Sequence, residues 1–125
     1  MKDVFRVGLR EAARSIAEGR FSSADYTRSC LQRIWLMEDQ VQAWQWLDHE
    51  RAMGLAELAD RSKNERQAVG LLRGLPLGIK DIFDTRGIPT ELGSPLFKGN
   101  VPQASAQVVE KLEQAGGFVM GKTVT

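Results

Sequence analysis

Mostly apolar residues recur at helical spacing in four stretches of the chain. The first stretch predicts a helix that stops near Gly19, and the second opens with a capping box in which Ser22 is followed three residues later by Asp25. Asp48 can cap a third helix and Ser105 a fourth. In chain order, the periodic positions are Leu9, Ala12, Ala13, Ile16 and Ala17; Thr27, Cys30, Leu31, Ile34 and Met37; Ala52, Leu55, Ala56 and Ala59; and Val108, Val109, Leu112 and Ala115.

Two short apolar runs predict buried strands. The first is LPLGIKDIF at 75–83, and the second is FVMG at 118–121. The aromatic segment 41–47 fits either a strand or an extended connection, and 61–70 is predicted as a polar loop. A Gly- and Pro-rich loop at 84–103 is long for a compact domain, and loops of that length often carry function. The order of elements predicts an α/β arrangement with parallel strands.

Composition narrows the class of protein. The chain has 125 residues, of which 42% are apolar and 26% charged, as in globular domains. Its 17 basic and 16 acidic side chains give a net charge of +1, without the basic footprint of a nucleic-acid or anionic-membrane partner. No apolar signal-peptide core and no membrane-length apolar run is present, so we expect a cytoplasmic protein. The oligomeric state stays open.

The residues most often used in metal and nucleophilic chemistry give weak signals. Cys30 is the single cysteine and lies on an apolar helical stripe, so we interpret it as a core thiol, and no Cys/His cluster predicts a metal site. His49 is the single histidine, has no partner in a recognisable motif, and is predicted to be solvated. Trp44 and Trp46 could form a stacking platform, but without a basic groove they are predicted to be packing residues.

Residues 116–123 match the phosphate-binding pattern G-x-x-x-x-G-K-[ST]. A loop of that kind follows a strand and leads into a helix, whose N-terminal N–H groups hold the anion. Here a helix comes first, and the bulky apolar residues at 118–120 have the character of a strand. Nucleotide binding is therefore the least favoured hypothesis, and Lys122 is not assigned to a catalytic site.

Lys80, within the first apolar run, is the stronger candidate, and two interpretations of it are open. Its stem can cover the sheet edge while its ammonium reaches water, and the pattern by itself favours this. A desolvated lysine, by contrast, loses its proton more readily and can act as a general base.

The stretch GLLRGLPLGIKDIFDTRGIPTELGSPLFKG at 70–99 is followed by P-x-x-x-A-x-x-V-x-x-L-x-x-A-G at 102–116 and by GKT at 121–123. In order and spacing, these segments resemble the opening of the amidase signature family, with a weaker similarity over FSSADYTRSCLQRI at 21–34. Within the family, 79–99 look closest to malonamidase-type bacterial amidases and less like the A subunit of tRNA-dependent amidotransferases. The resemblance implies N-terminal helices followed by the first strands and helix of a mixed β-sheet fold, incomplete as given. Residues 1–69 would be the helical lead-in and 70–125 the start of the core of a single domain.

The resemblance also implies a reaction, the hydrolysis of the amide bond of a small-molecule substrate by a serine–cis-serine–lysine relay without cofactor or metal. Lys80 matches the family's lysine and would be the general base, whereas Asp81 is interpreted as a structural hydrogen-bonding residue. The family's Gly/Ser-rich segment, with both serines and the oxyanion hole, is expected beyond Thr125. Ser94 and Ser105 lie in no such segment and are not assigned as nucleophiles.

Two functional hypotheses are therefore favoured over nucleotide binding. The first is the N-terminal part of an amidase, inactive by itself because a relay loses most of its rate advantage when members are missing. The second is a non-catalytic module or decayed gene product that binds a partner.

Overall fold

The computed structural model describes residues 3–62 and 70–125 of the chain. It contains four α-helices and three strands in a mixed α/β arrangement, which confirms the predicted fold class. The predicted polar loop at 61–70 falls almost wholly outside the described residues. In chain order the elements are α1 (Leu9–Glu18), α2 (Ser23–Val41), β1 (Trp44–Leu47), α3 (His49–Arg61), β2 (Pro76–Lys80), α4 (Gln107–Gln114) and β3 (Phe118–Thr123), with short 3₁₀ turns at Val4–Arg6 and Pro95–Phe97.

The three strands form one sheet in the order β1-β3-β2. β2 and β3 are parallel, as predicted, and α4 lies in the connection between them. β1 pairs with the other side of β3 in the antiparallel sense, so the ambiguous segment 41–47 contains a strand. The sheet is therefore mixed, and β3 is its central strand because it has a partner on each side.

Capping residues begin the second and third helices where the sequence predicted. Ser22 Oγ accepts a hydrogen bond from Asp25 N at 2.9 Å, and Asp25 Oδ2 accepts one from Ser22 N at 3.1 Å, which completes the capping box of α2. Asp48 Oδ1 accepts from Arg51 N at 2.9 Å and caps α3. Gly19 ends α1 with φ 74°, a left-handed conformation that glycine adopts without steric cost.

The predicted cap of the fourth helix is wrong. Ala106 stands at the N-cap position of α4, with no side-chain cap. The Ser105 hydroxyl instead accepts a hydrogen bond from Arg86 N at 2.9 Å and so ties the long loop to the start of the helix. A hydroxyl competes for whichever free N–H lies nearest, and the folded loop brings Arg86 to it.

Helices cover both faces of the sheet. On one face α2 and α3 pack against β3 through a cluster of Ala24, Leu31, Ala52, Ala56, Phe118 and Met120. On the other face Ile79, Ile88, Val109 and Val119 form a second cluster, which joins the sheet to α4 and to the long loop. Each fully buried aliphatic side chain contributes about 1.5–3 kcal/mol, so these clusters fix where the carboxyl ends of β2 and β3 lie.

Candidate active site

Lys80 is the last residue of β2 and lies at the carboxyl end of that strand. Its register partner on β3 is Thr123. The side chain is exposed, and it makes no hydrogen bond or ion pair with any residue in 3–62 or 70–125. The amine is thus free to meet a partner, and the described residues leave it exposed to solvent. Its role as a general base stays a prediction.

The neighbouring Asp81 is buried and held at four atoms. Its backbone N–H donates to Thr123 O at 2.9 Å, and its carbonyl accepts from Leu92 N at 3.0 Å. Its Oδ2 accepts from Glu91 N at 3.1 Å. The fourth contact is an ion pair at Oδ1, 3.2 Å from the Lys122 ammonium. This arrangement agrees with a structural hydrogen-bonding role for Asp81.

Lys122 lies inside the protein, fully buried on β3. Its Nζ donates to the carbonyl of Phe83 at 2.9 Å and to Thr90 Oγ1 at 2.8 Å. The contact with Asp81 is an ion pair without hydrogen-bond alignment, since Oδ1 accepts no hydrogen bond from the part of the chain that the structure describes. Burial lowers the pKa of Lys122, and the nearby negative charge of Asp81 opposes that shift.

This position also excludes the phosphate-loop interpretation, because residues 118–123 form a strand and the lysine points into the interior. The sequence interpretation missed the ion pair. A lysine directly after an apolar run was a usable signal, since fully buried lysines are rare unless paired with an acid.

The loop between β2 and α4 is ordered by its own hydrogen bonds. Gly87 N donates to Pro102 O at 3.0 Å, Thr90 N to Asn100 O at 2.9 Å, and Ala106 N to Asp84 O at 2.8 Å. These bonds fold the outgoing half of the loop against its returning half. This hydrogen-bonded loop therefore borders the carboxyl end of β2.

Both serines near Lys80 in sequence use their hydroxyl oxygens inside this loop. Ser94 Oγ accepts from Leu96 N at 3.3 Å, and Ser105 Oγ accepts from Arg86 N. Neither arrangement resembles a nucleophile hydrogen-bonded to a base.

The other residues weighed in the sequence have structural positions. Cys30 packs beside the cluster formed by α1 and α2, and burial raises the pKa of its thiol to about 11, which disfavours the reactive thiolate. His49 is exposed. Trp44 and Trp46 are partly buried against the two sheet clusters, in agreement with packing roles.

Two absences hold for residues 3–62 and 70–125. They contain no group of three or more His, Cys, Asp or Glu side chains that could hold a metal ion. They also contain no helix whose length and apolar character would suffice to cross a bilayer.

Comparisons with known proteins identify the family. The sequence profile of the Amidase family matches residues 25–125, so the chain belongs to the amidase signature family. It is 35% identical over 123 residues to the A subunit of the glutamyl-tRNA(Gln) amidotransferase of Streptomyces coelicolor, covering 98% of this chain and 25% of that protein. It is 38% identical over 122 residues to the corresponding subunit of Acinetobacter baylyi, with the same coverage. Among solved structures, the peptide amidase of Stenotrophomonas maltophilia superposes with a TM-score of 0.85 at 28% identity, covering 94% of this chain and 24% of that one.

The chain spans about a quarter of the length of these relatives. The similarity to these proteins gives the family and the fold. The closer resemblance to malonamidase-type amidases stays a prediction.

Proposed function

We propose that the chain forms the N-terminal part of a single amidase domain, with 1–69 as the helical lead-in and 70–125 as the start of the core. The whole protein hydrolyses the C–N bond of a small-molecule carboxamide, and Lys80 is the general base. One observation carries the proposal. Lys80, at the position of the family's lysine, ends β2 with a free amine, while the adjacent carboxylate of Asp81 is already engaged by Lys122.

The engagement of Asp81 matters for the chemistry of Lys80. A free carboxylate beside a lysine favours the charged ammonium, which cannot accept a proton. Asp81 directs its carboxylate to Lys122 and to Glu91 N instead. Lys80 is left without an acidic partner among the described residues.

The rest of the relay is assigned to the part of the longer protein that corresponds to the remaining three quarters of the relatives. There a cis-serine passes its proton to neutral Lys80 and takes one from the nucleophilic serine. That serine attacks the amide carbonyl, and the relay returns the proton from Lys80 to the departing nitrogen, which leaves as the amine or ammonia. Water, deprotonated by the same relay, then hydrolyses the acyl-enzyme. Backbone N–H groups of the Gly/Ser-rich segment stabilise the oxyanion. The side chains of that segment also supply the desolvation that Lys80 lacks here.

The names of the relatives support an amide substrate, because one set consists of amidotransferase subunits and the solved structure is a peptide amidase. The engaged hydroxyls of Ser94 and Ser105 support an origin of the nucleophile outside this loop.

The test is ammonia release from simple carboxamides by the full-length protein that contains this chain. Lys80→Ala is expected to lower kcat by about 10³-fold or more, because relay residues act as a unit. Hydroxylamine added to the wild type should divert the acyl group to a hydroxamate. Lys98→Ala is the matched control, since Lys98 is also exposed and lies in the neighbouring loop. Full activity without Lys80 refutes the proposal.

The alternative, a non-catalytic module that binds a partner, draws on exposed apolar side chains such as Leu96 at 90% and Trp35 at 75%. A full-length protein that folds cooperatively, binds one defined partner and turns over no amide would favour it.

A further inference from the structure

Lys122 is a charged residue in the interior for which the relay has no use. It pairs in register with Ile79, so its side chain lies on the face of the sheet opposite to that of Lys80. The Lys122 side chain therefore does not project to the side of the sheet on which the Lys80 amine would meet the reacting atoms. Its contacts, however, all lie in the segment that begins directly after Lys80.

Those contacts join three separated points of the loop. The ammonium meets the Asp81 carboxylate at the loop's first residue, the Phe83 carbonyl two residues later, and the Thr90 hydroxyl where the chain returns. Asp81 also links the two ends of this segment, because its carboxylate accepts a hydrogen bond from Glu91 N and its carbonyl accepts one from Leu92 N. Residues 81–92 are thus folded around one buried ammonium.

Stability alone does not require this arrangement. A buried ion pair is often replaceable by apolar residues of similar volume with little loss of stability, because desolvation offsets most of the Coulomb attraction. What an apolar pair does not reproduce is the direction of the three contacts. They fix the peptide that follows Lys80, and with it the direction in which Lys80 leaves the strand.

We propose that Lys122 is a positioning residue for Lys80: by holding Asp81, Phe83 and Thr90 to one buried ammonium, it sets where the Lys80 amine projects. The inference rests on the proposed function of Lys80. Lys122 itself touches neither substrate nor serine. Its effect reaches the reaction through the backbone at the end of β2, where a displacement of about 1 Å is enough to lower a rate by about 10²-fold.

The experiment measures kcat, KM and urea stability in the full-length protein. Lys122→Met is expected to lower kcat about 10–100-fold and to leave KM within about twofold, since misplacing a base affects the chemical step. It also leaves the Asp81 carboxylate buried and unpaired, which can unfold the protein. The double variant Asp81→Asn/Lys122→Met removes both charges, and the carboxamide oxygen that it introduces can still accept from Glu91 N.

The double variant separates positioning from stability. We expect its urea midpoint to return towards the wild-type value while kcat stays at least 10-fold low, because the contacts with Phe83 and Thr90 are still missing. Lys122→Arg, which keeps the charge and the donors, should recover most of the lost kcat. Lys98→Met, an exposed change in the same loop, should match the wild type.

The remaining outcomes are also decisive. If kcat recovers together with stability in the double variant, Lys122 is merely structural and the inference is wrong. If Lys80→Ala abolishes activity while a folded Lys122→Met keeps it, the inference fails and the proposed function stands. If activity survives Lys80→Ala, the proposed function fails and takes this role of Lys122 with it.

Discussion

Asp60 offers the sharpest test of how this fold holds together. Its two carboxylate oxygens accept hydrogen bonds from the N–H groups of Ser23 at 2.8 Å and Ala24 at 3.0 Å. These donors lie in the first turn of α2, where backbone N–H groups have no partner within the helix. Asp60 belongs to the last turn of α3, so a single carboxylate caps one helix and docks it to another.

The expected cost of Asp60→Ala follows from these contacts. A hydrogen bond to a charged group contributes about 1.5–3 kcal/mol, and both bonds here are only partly buried, which favours the lower figure. The carboxylate is unfavourable at the end of its own helix by about 0.3–1 kcal/mol, and its removal recovers that amount. The net loss is about 2–3 kcal/mol. Asp60→Asn keeps one accepting oxygen and should lose about half as much.

Urea unfolding of the full-length protein that contains this chain, followed by far-UV circular dichroism and tryptophan fluorescence, measures this loss as a change in midpoint at constant slope. Glu57→Ala is the control, because it removes an exposed acid from the same helix and should change stability by no more than about 0.5 kcal/mol. If Asp60→Ala behaves like Glu57→Ala, the carboxylate bridge contributes nothing and the reasoning is refuted.

Two further predictions concern the core. At pH 8 the Cys30 thiol should react with a disulfide reagent about 100-fold more slowly in the native chain than in urea, since burial raises its pKa from 9.0 to about 11. Equal labelling rates in the two states would contradict this. The contribution of the buried thiol to stability should be complete below about pH 9 and lost as the pH rises through about 11. Gly121→Ala should destabilise by about 1–3 kcal/mol, because the added carbon would lie 2.6 Å from the carbonyl oxygen of Trp46. Gly54→Ala, in α3 with open space around it, should instead stabilise by about 0.5–1 kcal/mol, and equal melting shifts for the two variants would show that the close approach is not real.

Local chemistry was predicted well where neighbours in sequence decide it. The capping box of Ser22 and Asp25 and the cap of Asp48 join residues three apart, so the sequence contains both partners. The cap assigned to Ser105 failed for the complementary reason. Its hydroxyl accepts a hydrogen bond from the backbone N–H of Arg86, 19 residues away, and no pattern near Ser105 in the sequence predicts that donor.

The candidate site divides in the same way. Lys80 and Asp81 were found through an ordered set of short segments that resembles a family. The sequence pattern around Lys122 suggests only a false phosphate loop, although the lysine holds the start of the adjoining loop. Its partners lie 32 to 41 residues away along the chain, and only the parallel pairing of β2 with β3 brings them together.

The helices, the two parallel strands, the family and the lysine at the end of β2 all follow from the sequence, because periodicity, caps and ordered motifs depend on near neighbours. The tertiary structure alone decided that β1 joins the sheet, that Asp60 caps a helix from another element, and that Lys122 is paired inside the core. Those facts depend on which distant groups meet when water is excluded. A buried charge or a free N–H must find its partner in space rather than along the chain.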